Sequence, residues 1–190
     1  MKKTASMYKI RLALDEPLEI LSACHGRVLA QLQTLQRLLA HLPVHGPDAQ
    51  ARQAAGAVLR YFDTAAKHHH EDEEVDLLPA LQAVVTPELQ TDLADVRERI
   101  LAEHAHMYGL WDALRPQLEA VRLGQQSSLD ERLVSDMDAI YRQHIDYEEE
   151  RLLPLARQLL DESKLRVLAQ AMTGRRSPAG AARVSGEPGG

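Results

Sequence analysis

The chain is poor in several things, and each shortage excludes a class of protein. There is one cysteine in 190 residues, Cys24, so no internal disulfide framework can form. Stretches rich in Val, Ile and Thr are few, and aromatics are scarce, with one Phe and one Trp. A sheet-dominated fold has little to build on. Positive charge is in deficit: the formal net charge is −6, which argues against nucleic acid or an anionic membrane as the main partner. No apolar run approaches membrane-spanning length. The opening stretch "MKKTASMYKI" has two lysines but no apolar run of signal-peptide length, so the expected compartment is the cytoplasm.

What is abundant is Leu, Ala, Gln, Arg and Glu, all good helix formers. With 45% hydrophobic residues the chain can bury one real core, and an all-α protein follows. Spacings of three and four mark out four long helices. The first begins near Pro17, with Asp15 and Glu16 at its cap, and carries Leu18, Leu21, Val28, Leu32, Leu35, Leu39 and Leu42. The second runs from about Ala49 to Val84 with Val58, Phe62, Ala65, Leu77 and Leu81. After a break at "TPEL" (86–89), the third carries Leu93, Val96, Ile100, Met107, Trp111, Leu114 and Leu118, and Pro116 should kink it or end its regular part. The fourth, after "GQQSSLDE", carries Leu133, Met137, Ile140, Leu152, Leu155 and Leu159. A short helix over Lys164–Met172 closes the folded unit. The expected architecture is an up-down-up-down four-helix bundle over residues 1–173. Residues 174–190 hold five of the ten glycines and read as a disordered tail whose arginines are solvated.

Each stripe is interrupted by polar residues. His25, His69, His104 and His144 fall on the four seams, one per helix, and Glu73 and Glu148 follow two of them at i+4, one turn along the same face. Burying two unpaired carboxylates is very costly, so something cationic must compensate. Four imidazoles and two carboxylates converging in a bundle describe a dinuclear metal site. The donor types suit iron, manganese or zinc, and the lack of thiolate disfavours a structural zinc site.

An internal repeat fixes the register. "HHEDEEVDLLP" (69–79) and "HIDYEEERLLP" (144–154) agree at six of eleven positions, both fitting His-x-x-x-Glu-Glu-x-x-Leu-Leu-Pro. Counting ten back from Pro79 and Pro154 selects His69 and His144. His68 and His70 lie about 100° to either side and are expected to be exposed or beside the site, with Glu71 and Asp72 flanking. Glu74 and Glu149 are placed to hydrogen-bond the outer nitrogen of a ligating histidine. His41, His45 and His106 read as surface, Trp111 as core, and Cys24 as a small buried residue or, less simply, a redox or flanking group. Gly26 and Gly109 weaken their helices, which would suit close helix approach or access to the site.

With "ACHGRV", "HHEDEEVDLLP", "EHAHMYGLW" and "HIDYEEERLLP" in this order over about residues 15–160, the sequence resembles the hemerythrin-like, or HHE cation-binding, family. The resemblance implies two iron ions, bridged by carboxylates and an oxo or hydroxo group, held by His25, His69, Glu73, His104, His144 and Glu148. It also implies a small diatomic or peroxide ligand: O2, NO or peroxide. Members of the family carry or sense O2, respond to iron, help repair iron–sulfur centres or remove peroxide, and the fold does not choose among them. Three functions therefore stay open: reversible binding or sensing, an enzyme removing peroxide or doing other oxidative chemistry, and iron storage or donation. No signalling output domain accompanies the bundle, which points to a stand-alone role. One departure is informative. Oxygen carriers have a second histidine four residues after the one in the third helix, where this chain has Tyr108, and their fourth-helix acid is one residue further along. Tyr108 could be a seventh ligand, bond a bound oxygen species, carry an electron, or pack on the seam.

Overall fold

The computed structural model describes residues 16–176. Asp15, the N-terminal stretch and residues 177–190 of the expected tail lie outside these. The described residues form helices and no strands. The first helix spans Glu16–His45, longer at its C-terminal end than "LPVHGP" implied, because Pro43 is absorbed within it and the chain turns at Gly46, φ 67°. The second begins at Ala49, where the Asp48 carboxylate accepts from the Ala51 N–H, and continues to Gln82. The third spans Gln90–Arg122. It neither ends nor loses α-helical form at Pro116, because Leu114, Leu118 and Val121 are all buried and packing outweighs one lost hydrogen bond. The fourth begins at Glu131 under an Asp130 cap and ends at Leu159. Contacts join first to second, second to third, third to fourth and fourth to first, which closes a four-helix bundle.

The seams sit where the spacing placed them, with a local drift of one residue. Leu38, Ala66, Val134, Tyr141 and Leu160 are buried, while Leu39, Ala65, Leu133, Ile140 and Leu159 are half-buried. Two helices depart from α geometry. The second is π-helical over Tyr61–Ala66 and Asp72–Leu77, and the fourth over Glu148–Leu152. A π turn holds more residues than an α turn, so it lets a face repeat every four residues without rotating away. The runs Val58, Phe62, Ala66, His70 and His69, Glu73, Leu77, Leu81 are such repeats, and all eight side chains are buried. Pro79 and Pro154 each follow a π segment closely. Each lacks an N–H for the carbonyl four residues back and would clash with it in a tight α turn, which the wider turn relieves.

The core is split. One apolar cluster holds Val28–Leu42, Phe62, Met107–Val121 and Met137; the other holds Leu18, Leu21, Leu77–Leu81, Leu93–Ile100 and Leu152–Leu160. Between them lies the layer of histidines and glutamates. The C-terminal helix, Glu162–Arg176, covers the second cluster with Leu165, Leu168 and Met172. It runs past the expected Met172 end and through Gly174, so the tail does not start there. Its last residues are held by charge: Arg175 pairs with Asp72 and reaches Asp76 at 2.6 Å and Glu71 at 3.4 Å, and Arg176 also pairs with Asp72. These two arginines are therefore held by ion pairs and only partly solvated, where composition implied free ones.

Candidate metal centre

All six residues picked from the seams are brought together and buried: His25, His69, Glu73, His104, His144 and Glu148. They form two sets whose donor atoms lie within 4.8 Å of one another: His25, His69, Glu73 and Glu148, and then Glu73, His104, His144 and Glu148. Four donors at about 2.0–2.2 Å from one ion must themselves lie about 3–4 Å apart, so both sets have metal-site dimensions. The glutamates belong to both, and each divides its oxygens between them. Glu148 Oε2 is 2.9 Å from His25 Nε2 and its Oε1 is 3.0 Å from His144 Nε2. Glu73 Oε1 is 3.3 Å from His69 Nε2 and its Oε2 is 3.2 Å from His104 Nε2.

Outer partners fix the tautomers. A carboxylate accepts, so a ring nitrogen facing one carries the hydrogen. His25 Nδ1 donates to Glu149 Oε1 (2.8 Å), His104 Nδ1 to Glu74 Oε1 (2.6 Å) and His144 Nδ1 to Glu103 Oε2 (2.8 Å). Each Nε2 lone pair is then left facing the interior. The Nε2 atoms of His104 and His144 are 3.1 Å apart, where two lone pairs repel unless a cation or proton lies between them. His25 Nε2, Glu73 Oε2 and both Glu148 oxygens are buried without making a hydrogen bond. Buried polar atoms are seldom left so, and their convergence suits a shared cation.

The electrostatics agree. Burial and the adjacent Glu148 raise the Glu73 carboxyl well above the usual range. Burial also opposes ionisation of Glu148, but the imidazoles of His144 and His25 overcome it and hold that carboxyl well below its ordinary value. Despite burial, His144 is pushed up to about 9 by Glu148 and Glu103, and His25 is raised by Glu148 and Glu149. His69 is driven down to about 3, chiefly by burial. The shifts of His25, His144 and Glu73 all run toward the protonated form, the direction that a cation in the layer would oppose.

Several residues differ from expectation. Of its two expected places His70 takes the one beside the site and is not exposed: the π-expanded helix turns it inward, and it stacks on His104 with ring centroids 3.9 Å apart. Asp72 is buried by the C-terminal arginines. Glu103, which orients His144, was not anticipated, because it meets that histidine 41 residues away and no local spacing marks it. Glu74 and Glu149 do what their positions suggested. Tyr108 is 39% exposed and meets His70 edge-on at 5.2 Å. Burial and then the charges of Glu74, Glu71 and Glu73 raise its phenol, so the hydroxyl keeps its proton in this setting. Cys24 is buried and accepts from Arg27 Nη2 at 2.8 Å. Trp111 packs on Phe62 and donates its indole N–H to Asp63 at 3.1 Å. His45 and His106 are exposed and His41 half-buried. A Cβ on Gly26 or Gly109 would meet nothing within 4 Å, so neither glycine permits a close helix approach.

Among the described residues no helix is long and apolar enough to cross a membrane. The sequence profile of the hemerythrin HHE cation-binding domain matches residues 16–156, which contain all six clustered residues. A protein of Haemophilus influenzae, described only as uncharacterized, is 32% identical over 162 residues, covering 85% of this chain and 91% of that one. The buried His/Glu layer, its carboxylate-fixed tautomers and the match over the whole bundle lead to one conclusion: the chain belongs to the hemerythrin HHE cation-binding family.

Proposed function

We propose that this is a non-haem di-iron protein that binds or reacts with O2, NO or peroxide. One observation carries the reading: Glu73 directs one oxygen to His69 and the other to His104, and Glu148 directs one to His25 and the other to His144. Two carboxylates shared in this way suit a pair of ions better than one. All the donors are imidazole or carboxylate, which suits iron, and the thiol of Cys24 is engaged with Arg27. Two bound irons would supply one- and two-electron chemistry toward small oxygen- and nitrogen-containing ligands.

The protein's own part is orientation and exclusion. With cations bound, Glu73 and Glu148 would set two negative charges in a layer of otherwise neutral donors. Glu74, Glu103 and Glu149 hold the outer ring hydrogens and so aim three histidines. The apolar clusters above and below keep bulk water away, which strengthens each electrostatic interaction within the layer.

Anaerobic titration with Fe(II) tests the reading. Saturation below about one and a half ions per chain would overturn the dinuclear assignment. The loaded protein is then exposed separately to O2, NO and H2O2 while its optical spectrum is followed. A reversible spectral change identifies binding, sustained peroxide consumption with O2 release identifies a catalase-like enzyme, and release of iron to an acceptor identifies iron donation.

A further inference from the structure

The π segments bring one more histidine into the layer than the shared motif contains. His70 is 1% exposed, and neither ring nitrogen has a hydrogen-bond partner. A neutral imidazole has one N–H and one lone pair, and burying both unpaired is costly. The other buried histidines of the layer fall into two pairs. His70 takes sides: one nitrogen from each of His70, His104 and His144 lies within 4.8 Å of the others, forming a third set of potential donors. Its ring stacks on His104 and meets His144 edge-on at a centroid distance of 6.2 Å; a ring donates only in its own plane, so to share an ion with His104 it turns about its Cβ–Cγ bond. Tyr141, parallel to it at 6.2 Å, and Tyr108 wall it in.

We propose that His70 is a further protein ligand to the cation held by His104 and His144. This rests on the two-cation reading above. The two ions are then unequal. One has His25, His69 and the shared carboxylates; the other has three histidines and the same carboxylates. The fourth helix cannot reproduce the arrangement, because the residue that corresponds to His70 in the second copy of the repeat is Ile145, an apolar side chain in the core. The repeat therefore gives a symmetric frame, and one substitution within it makes the centre asymmetric.

The test uses the full chain loaded anaerobically with Co(II), a paramagnetic probe of the same donor set. Each coordinated imidazole contributes one strongly shifted exchangeable N–H proton signal. Five such signals are expected with two ions bound, and four would overturn the proposal. In His70→Gln two ions should still bind, one of the five signals should vanish, and one of the two binding steps should weaken at least roughly ten-fold. An isotherm and signal count equal to wild type would equally overturn it. Uptake of only one ion by the wild type would instead defeat the two-cation reading. Whether His70→Gln removes a signal would still decide the role of His70. If that variant does not fold, the count on the wild type decides.

Discussion

Removing both C-terminal guanidiniums should destabilise the protein by about 3 kcal/mol. Asp72 has no exposed surface, and its partners Arg175 and Arg176 are 16% and 31% exposed at the side chain. In Arg175→Ala/Arg176→Ala, Asp72 is left in a buried position with neither partner. Breaking a buried pair in this way costs about 3–5 kcal/mol, and the lower figure applies because the arginine side is partly solvated. For a domain of this size each kcal/mol shifts Tm by about 2–4 °C, so a fall of about 6–12 °C is expected by calorimetry. The exposed pair Arg166–Glu162 on the same helix is the control, and Arg166→Ala should cost under about 1 kcal/mol. Asp72→Asn, which removes the charge, should recover part of the loss in the double-arginine background. If the effects of Asp72→Asn and the arginine pair simply add, Asp72 and the C-terminal helix are not coupled and the reasoning fails.

Three further outcomes follow from the site and its surroundings. Glu73→Ala and Glu148→Ala should each lose both metal ions, whereas His25→Ala should lose about one; elemental analysis showing one ion retained in both glutamate variants would refute the shared-carboxylate arrangement. Glu103→Gln should weaken metal binding about 10- to 100-fold with helical circular dichroism unchanged, since it orients His144 from outside the donor sets. Gly26→Ala and Gly109→Ala should each stabilise by about 0.5–1 kcal/mol in urea unfolding, because both lie in exposed helix interiors where the added methyl meets nothing; a loss of stability would contradict that open space.

The seams, the four helices and the six clustered residues were legible because they are local. A spacing of three and four shows a helix face, and the register between Pro79 and Pro154 separates His69 from its neighbours. The spacing leaves His70 either exposed or beside the site, since 100° per residue holds only in an α-helix, and widened turns flank it on both sides. A run of four-residue steps, from Val58 to His70, was the available sign of such turns. Glu103 could not be found in this way, since its partner is on another helix. Composition misled at Arg175 and Arg176: glycine and proline beyond them implied a free tail, while what holds them is Asp72, about a hundred residues earlier.

The split core has a consequence for cooperativity. Each apolar cluster contains side chains from all four helices, so each half of the bundle can fold around its own contacts. Only the polar layer and the continuity of the helical rods link them. With metal bound, the layer is a set of strong bonds across all four helices, and the bundle should melt as one unit whose Tm rises with free metal concentration. Stripped of metal, the same layer becomes the weakest cross-section. Hydrogen exchange should then resolve two cooperative units, the half closed by the C-terminal helix and the half beyond it, with different opening free energies. The metal would thus act as a coupling constant between two folding units.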